Sequence, residues 1–205
     1  MPNAKPDTRQ LILEGAKKVV REKGLAGATT REIVREVGCA EGTLYVHFAD
    51  RIELFLALLR ESLPPMTEPL RELEYLAGRG TVRRNLEKVV RGALAFMREV
   101  VPLVASLFAE PELLRAHREE LQRRSEGPHL SMMAVENYIR AEQRLGRIER
   151  RANPKAVYAV LYGACLHRIF ISHFLGQAIG PSDEVFIKQT VATLVNGLRA
   201  AEGGH

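Results

Sequence analysis

The side chains best equipped for chemistry lie in one seven-residue stretch, Gly42-Thr43-Leu44-Tyr45-Val46-His47-Phe48. On a helix, Leu44 and Phe48 stand four apart and share a face, so they can fasten it to a core. Gly42 lets the backbone approach a phosphate with no side chain in the way, and Thr43 offers a hydroxyl or a methyl to a base edge. Tyr45 and His47, two apart, project in different directions, and each can donate to a phosphate oxygen. Upstream, Thr29 and Arg31 add a helix-start amide cluster and a guanidinium suited to the same anion. Each has a plainer reading as well: a half-buried aromatic, a solvated histidine, a helix cap, a surface charge.

Catalytic chemistry has no comparable constellation. The six histidines (His47, His117, His129, His167, His173, His205) include no i, i+4 pair of the HExxH kind. No glycine-rich phosphate loop follows a strand, and there is no nucleophile elbow. Cys39 and Cys165 lie far apart without CxxC spacing, which excludes a disulfide framework or a zinc site made of cysteine alone and fits a reducing, cytoplasmic setting. Both read as small buried hydrophobes. No enzymatic activity, metal or cofactor is expected.

The elements that position these residues read as helices throughout. The chain of 205 residues is 46% apolar and 27% charged, values of a soluble globular protein with a real core. No stretch alternates with period two, so the fold class is all-α. A net charge of +5 permits a polyanionic partner, but residues 1–60 carry a basic excess of only two, so bulk charge identifies nothing. The opening MPNAKPDTRQ lacks the apolar core of a signal peptide. The longest apolar run, residues 157–166, is short of the ~18 residues of a membrane span. A soluble protein with no membrane partner is expected.

The first helix begins near Asp7, carries Ile12, Ala16, Val19 and Val20 on one stripe and ends at Gly24. Thr29-Thr30-Arg31-Glu32 has capping-box spacing, in which Thr29 accepts from the Glu32 amide and Glu32 reaches back. Gly38 stops that second helix, Glu41 to Phe48 forms a third, and Asp50 caps a fourth carrying Ile52, Phe55, Leu56 and Leu59. This is a helix-turn-helix layout. Pro64 and Pro65 interrupt the fourth helix, dividing the chain into domains 1–60 and 61–205. Further helices are expected at 67–77, 80–100, 102–124 with a break at Pro111, 128–145, 154–176 and 182–201. The helix at 154–176 is apolar nearly all round and needs cover on two sides, and the last is also over-apolar for a monomer surface. A symmetric helical interface is the economical answer.

Thr29-Thr30-Arg31-Glu32-Ile33, then Gly38, then Gly42 to Phe48 and Arg51 resemble the DNA-binding domain of the TetR family of transcriptional regulators. The resemblance covers about residues 7–60. It implies a DNA surface made of Thr29, Thr30, Arg31, Glu41, Gly42, Thr43, Tyr45, His47 and Arg51, with Arg51 standing where the family usually has a phosphate-contacting lysine. Two positions depart from the pattern: Ala40 replaces the usual serine or threonine, and Glu41 places a carboxylate that suits the helix dipole, repels DNA or accepts from cytosine N4. The resemblance further implies a homodimer formed by the last two helices, with a carboxy-terminal pocket for a small-molecule effector. Its candidate lining is Phe96, Met97, Phe108, Met132, Met133, Tyr138, Tyr162 and Cys165. Arg168, beside His167 in an apolar helix, either forms a structural salt bridge or meets an anionic, acyl-CoA-like ligand. The implied function is a ligand-responsive homodimeric repressor of a palindromic operator, or an activator of the same fold. An all-α enzyme and a protein-binding scaffold are the rival readings.

Overall fold

The computed structural model describes residues 7–61, 70, 72, 73 and 75–197, the side chains of residues 103 and 106 apart. Pro64 and Pro65, most of the helix expected at 67–77, and the last turn of the final helix with Leu198 lie outside the described residues.

Helix α1 spans Thr8–Gly27. Asp7 caps it by accepting from the Arg9 amide at 3.1 Å, and Ile12, Ala16, Val19 and Val20 are all buried. Gly24, with φ of 70°, kinks the helix rather than ending it. α2, Thr30–Val37, starts on Thr29, whose side chain accepts from the Glu32 amide at 3.3 Å, and ends on Gly38 in the left-handed region. Only half of the expected capping box forms. The Thr29 amide donates to the Gly27 carbonyl, while the Glu32 carboxylate is taken by Lys23 and by Arg35. Those cations reach it because it lies on the exposed side of α2. The hydrogen bond from Lys23 holds the Glu32 carboxyl below its ordinary range despite some desolvation.

α3 covers Glu41–His47 and α4 covers Arg51–Glu61. A reciprocal cap forms at α4: Asp50 accepts from the Glu53 amide at 2.7 Å, and Glu53 accepts from the Ala49 amide at 2.6 Å. Phe48, Leu54, Phe55, Leu58 and Leu59 join the stripe of α1 in one core. Removing that apolar surface from water is the main force assembling these helices.

α5 is a single helix, Val82–Leu107, with Pro102 inside it. The break expected there does not occur, and the chain interrupts at 108–110 instead. A proline inside a helix costs ~3 kcal/mol, and here it is offset by burial on both sides: Val90, Ala93 and Leu94 before it and Leu107 after it. α6, Pro111–Arg124, then starts with proline at its first position, where no N–H is needed.

The chain divides by packing into two compact units, one of residues 1–63 and 102–125, the other of residues 64–101 and 126–205. Leu107 and Leu113 belong to the same core as α1 to α4, so a segment expected in the carboxy-terminal domain packs with the amino-terminal one.

The second unit holds the first part of α5 with α7, Pro128–Arg144, α8, Pro154–Leu175, and α9, Asp183–Gly197. α8 buries one stripe, Val157, Leu161, Tyr162, Cys165 and Ile169, and exposes the opposite one, Val160, Leu166, Phe170 and Phe174. Among the described residues it is the one helix long and apolar enough to cross a membrane by length and composition, although no uninterrupted apolar run approaches that length. Its packed stripe and the buried Arg168 account for its apolar character as a core helix with one uncovered face.

Candidate functional site

α3 rests on its inward side chains. Leu44 is fully buried and Phe48, at its carboxy-terminal cap, nearly so, with the Arg9 guanidinium 5.1 Å from the Phe48 ring centre. Residues two positions from Leu44 therefore point away from the core. Tyr45 is 48% exposed and Val46 80% exposed, while Thr43 and His47 are half-buried and Gly42 is exposed with nothing near the place of a side chain. Gly42, Tyr45 and Val46 lie at i, i+3 and i+4, hence on one outward face.

Thr29, Thr30 and Arg31 open α2. Arg31 is exposed and has no ion-pair partner among the described residues, whereas Lys18 pairs with Glu36 at 2.6 Å and Lys23 with Glu32. The Thr30 hydroxyl donates to Glu41 Oε1 at 3.2 Å, tying the start of α2 to the start of α3. Ala40 makes no side-chain cap bond. Of the expected residues, Thr29, Thr30 and Arg31 thus stand at the start of α2 and Glu41, Gly42, Thr43, Tyr45 and His47 on α3, with the Thr30–Glu41 hydrogen bond joining the two helix starts.

Arg51 differs from its expected role at the phosphate. Its Nη2 donates to the Leu25 carbonyl at 2.7 Å and to Glu110 at 3.3 Å, and the guanidinium sits 5.0 Å from the Phe55 ring centre. These partners draw it inward as a brace within its unit. Val46 was not among the expected residues. The available signal was its place two residues after Leu44, and its exposed aliphatic group is of the kind that meets a thymine methyl.

The expected effector residues are scattered. Tyr138 and Cys165 are core residues and Tyr162 is nearly so, while Phe96 and Met97 pack half-buried against the same core. The Tyr138 hydroxyl is held by Asn85 at 3.0 Å, and burial raises the Tyr138 and Tyr162 hydroxyls above their ordinary values. Burial also pushes the Cys165 thiol up to about 12. Met133 is exposed, Met132 is half-buried, and Phe108, 72% exposed, belongs to the other unit. A cleft of about 500 Å³ in the second unit is lined by residues 80–83, Arg147, Ile148 and Val195, none of them expected.

Arg168 is 7% exposed and takes the structural option. It donates to Asp183 at 3.1 and 3.2 Å, to the Ile179 carbonyl at 2.8 Å and to the Pro181 carbonyl at 2.6 Å, and it lies over the Phe186 ring at 4.8 Å. Burial raises the Asp183 carboxyl, but bonds from Arg98 and Arg168 outweigh it and leave the group below its usual range. Among the described residues no group of three His, Cys, Asp or Glu side chains is placed to hold a metal.

Residues 12–58 match the family of bacterial regulatory proteins known as the TetR family. A stretch of 88 residues is 42% identical to the HTH-type transcriptional repressor AcnR of Corynebacterium efficiens, covering 43% of this chain and 41% of that protein. The match therefore spans about two fifths of that relative's length. Among solved structures, the fatty acid degradation regulator FadR of Bacillus halodurans superposes with a TM-score of 0.68 at 17% identity, over 96% of this chain and 99% of that one. FadR of Bacillus subtilis, solved in complex with stearoyl-CoA, gives 0.63 at 17% identity, over 96% and 99%. At that identity the structural likeness is one of fold alone. Family model and helix-turn-helix geometry agree that residues 12–58 form a TetR-family helix-turn-helix segment, and the whole chain shares the fold of these solved regulators.

Proposed function

We propose that the chain is a homodimeric repressor that binds a palindromic operator and releases it when a small amphiphilic effector binds. The observation that carries this reading is α3, held down by Leu44 and Phe48 while Tyr45 and Val46 project outward, with the exposed Arg31 at the start of α2 making no ion pair among the described residues. A helix presented in this way can enter a major groove, with Thr43, Val46 and Tyr45 facing bases and backbone and the start of α2 facing a phosphate. Arg51 serves as an internal brace. The AcnR relative, a repressor, supports the sign of regulation.

A groove-reading helix in each of two protomers requires a fixed separation, ~34 to 36 Å for successive major grooves. The exposed stripe of α8, in which the Phe170 and Phe174 rings stack 6.3 Å apart, and Val185 of α9 offer the surface for a second copy. Phe96, Met97 and Tyr162, which pack in or against one apolar core, are the side chains assigned to an effector tail in this reading. The stearoyl-CoA held by a FadR neighbour supports an acyl-CoA-like class. Such a ligand acts only through its differential affinity for conformers with different helix separation.

Selection of bound sequences from random duplex DNA tests the reading. Recovery of an inverted repeat with two equal half-sites is the expected result. Recovery of no common sequence, or of an unrepeated one, refutes a symmetric groove-reading dimer.

A further inference from the structure

The carboxylates around α2 and α3 are not treated alike. Glu32 is neutralised by Lys23 and Arg35, and Glu36 by Lys18. Glu41, exposed at the first position of α3, has no cation within ion-pair distance among the described residues. Its partner is a neutral hydroxyl, the half-buried Thr30 at the first position of α2, which donates to Oε1 at 3.2 Å. A carboxylate has acceptor capacity on both oxygens, and here Oε1 is occupied while Oε2 has no partner among the described residues.

We infer that Thr30 and Glu41 form a selectivity device for DNA, resting on the proposed function above: Thr30 holds the carboxylate, and Glu41 both rejects indifferent duplex and reads an amino group on a base. Thr30 and Arg31 are where a phosphate approaches. A full negative charge bonded to Thr30 repels that phosphate on any sequence. It is compensated only where the free oxygen meets an N–H donor in the major groove, for which cytosine N4 is the matching group. The carboxylate thus weakens binding generally and restores it selectively, so specificity comes from a repulsive element as well as an attractive one. Thr30 is a positioning residue, because without its hydroxyl the side chain of Glu41 is free to turn away from the groove.

The test compares affinities for a random-sequence duplex and for the duplex selected by the wild-type chain, at one fixed salt concentration. Glu41→Gln keeps the shape and the bond from Thr30 but removes the charge. Its random-duplex affinity should rise about fivefold for each protomer, the factor for one like-charge repulsion at ~4 Å in water, and so about 25-fold when both copies of the dimer engage the duplex. Reselection should move the preference beneath Glu41 from cytosine toward adenine, the base a glutamine pairs with. Thr30→Val should broaden the preference at that one base pair and Thr30→Ser should restore it, whereas in a Glu41→Ala background, where no polar group is left to position, Thr30→Val should change selectivity no further. Unchanged affinities and base preference in Glu41→Gln overturn the inference, as does a Thr30→Val effect on selectivity equally large in the wild type and in Glu41→Ala. In either case wild-type binding to the selected duplex leaves the proposed function standing. A wild-type chain that binds no duplex removes that function, and this inference with it.

Discussion

Replacing Gly15 with alanine tests the packing that sets the attitude of the helix-turn-helix. Gly15 is buried in α1 where it passes α2, and a Cβ built on it would lie 2.4 Å from Val37 Cγ2. Ordinary contact begins at 3.4 Å, so the two groups must separate by about 1.0 Å. Val37 has little freedom to yield, because a β-branched side chain in a helix keeps one preferred rotamer. Overpacking of this kind costs ~1 to 3 kcal/mol, while alanine in a helix interior gains ~1 kcal/mol over glycine. Gly15→Ala should therefore lower stability by about 1 kcal/mol net, read as a lower urea midpoint with the slope unchanged. Operator affinity should fall with it, since α2 is displaced. In the double variant with Val37→Ala the clash is gone, and a double-mutant cycle should return a favourable coupling of about 1 kcal/mol or more. A midpoint that rises, as for a glycine on an exposed helix face, refutes the close approach.

Arg168→Met should destabilise the chain by roughly 2 to 4 kcal/mol, because Asp183 loses one of two cations and two loop carbonyls lose their donor; an unchanged denaturation midpoint contradicts that role. Since the arginines depress the Asp183 carboxyl, its contribution is present at neutral pH and should be lost as the pH falls below its ordinary value of 3.8 and through the depressed one. Phe170→Glu with Phe174→Glu places charge on the uncovered face of α8 and should yield a monomer by light scattering, whereas a persistent dimer excludes this face as the contact. In thiol labelling of the native protein at pH 8, half-buried Cys39 should react first, while Cys165, its thiol pushed up to about 12, should react only on unfolding. Equal rates for the two refute the buried assignment.

The amino-terminal helices were legible because their signals are local. Asp7, Thr29, Gly38 and Asp50 act within three or four residues of where they stand, and the stripe of α1 buries as its spacing predicts. What escaped depends on distant partners. Arg51 turns inward because Leu25 lies 26 residues away and Glu110 lies 59 away, and no local pattern links them. Pro102 stays inside a helix because burial on both sides outweighs its intrinsic cost. Glu32 gives up its share of the capping box because Lys23, on the preceding helix, competes for its carboxylate. The side chains we propose to face DNA lie on α2 and α3, which a tight turn joins and the Thr30–Glu41 hydrogen bond ties at their starts. The effector residues did not come together, because composition alone does not separate a pocket wall from a packed core: Tyr138 and Cys165 fill the core, while Phe108 follows the buried Leu107 and turns outward.

The central claim is that two copies of α2 and α3 grip a DNA duplex, and the affinity for the selected duplex as a function of salt tests it most directly. Arg31 is exposed in each protomer and without an ion-pair partner among the described residues. If each copy neutralises one phosphate, the log–log slope should be about −1.8 or steeper. Affinity that is flat across 50 to 200 mM salt, or absent at the low end of that range, would contradict the account.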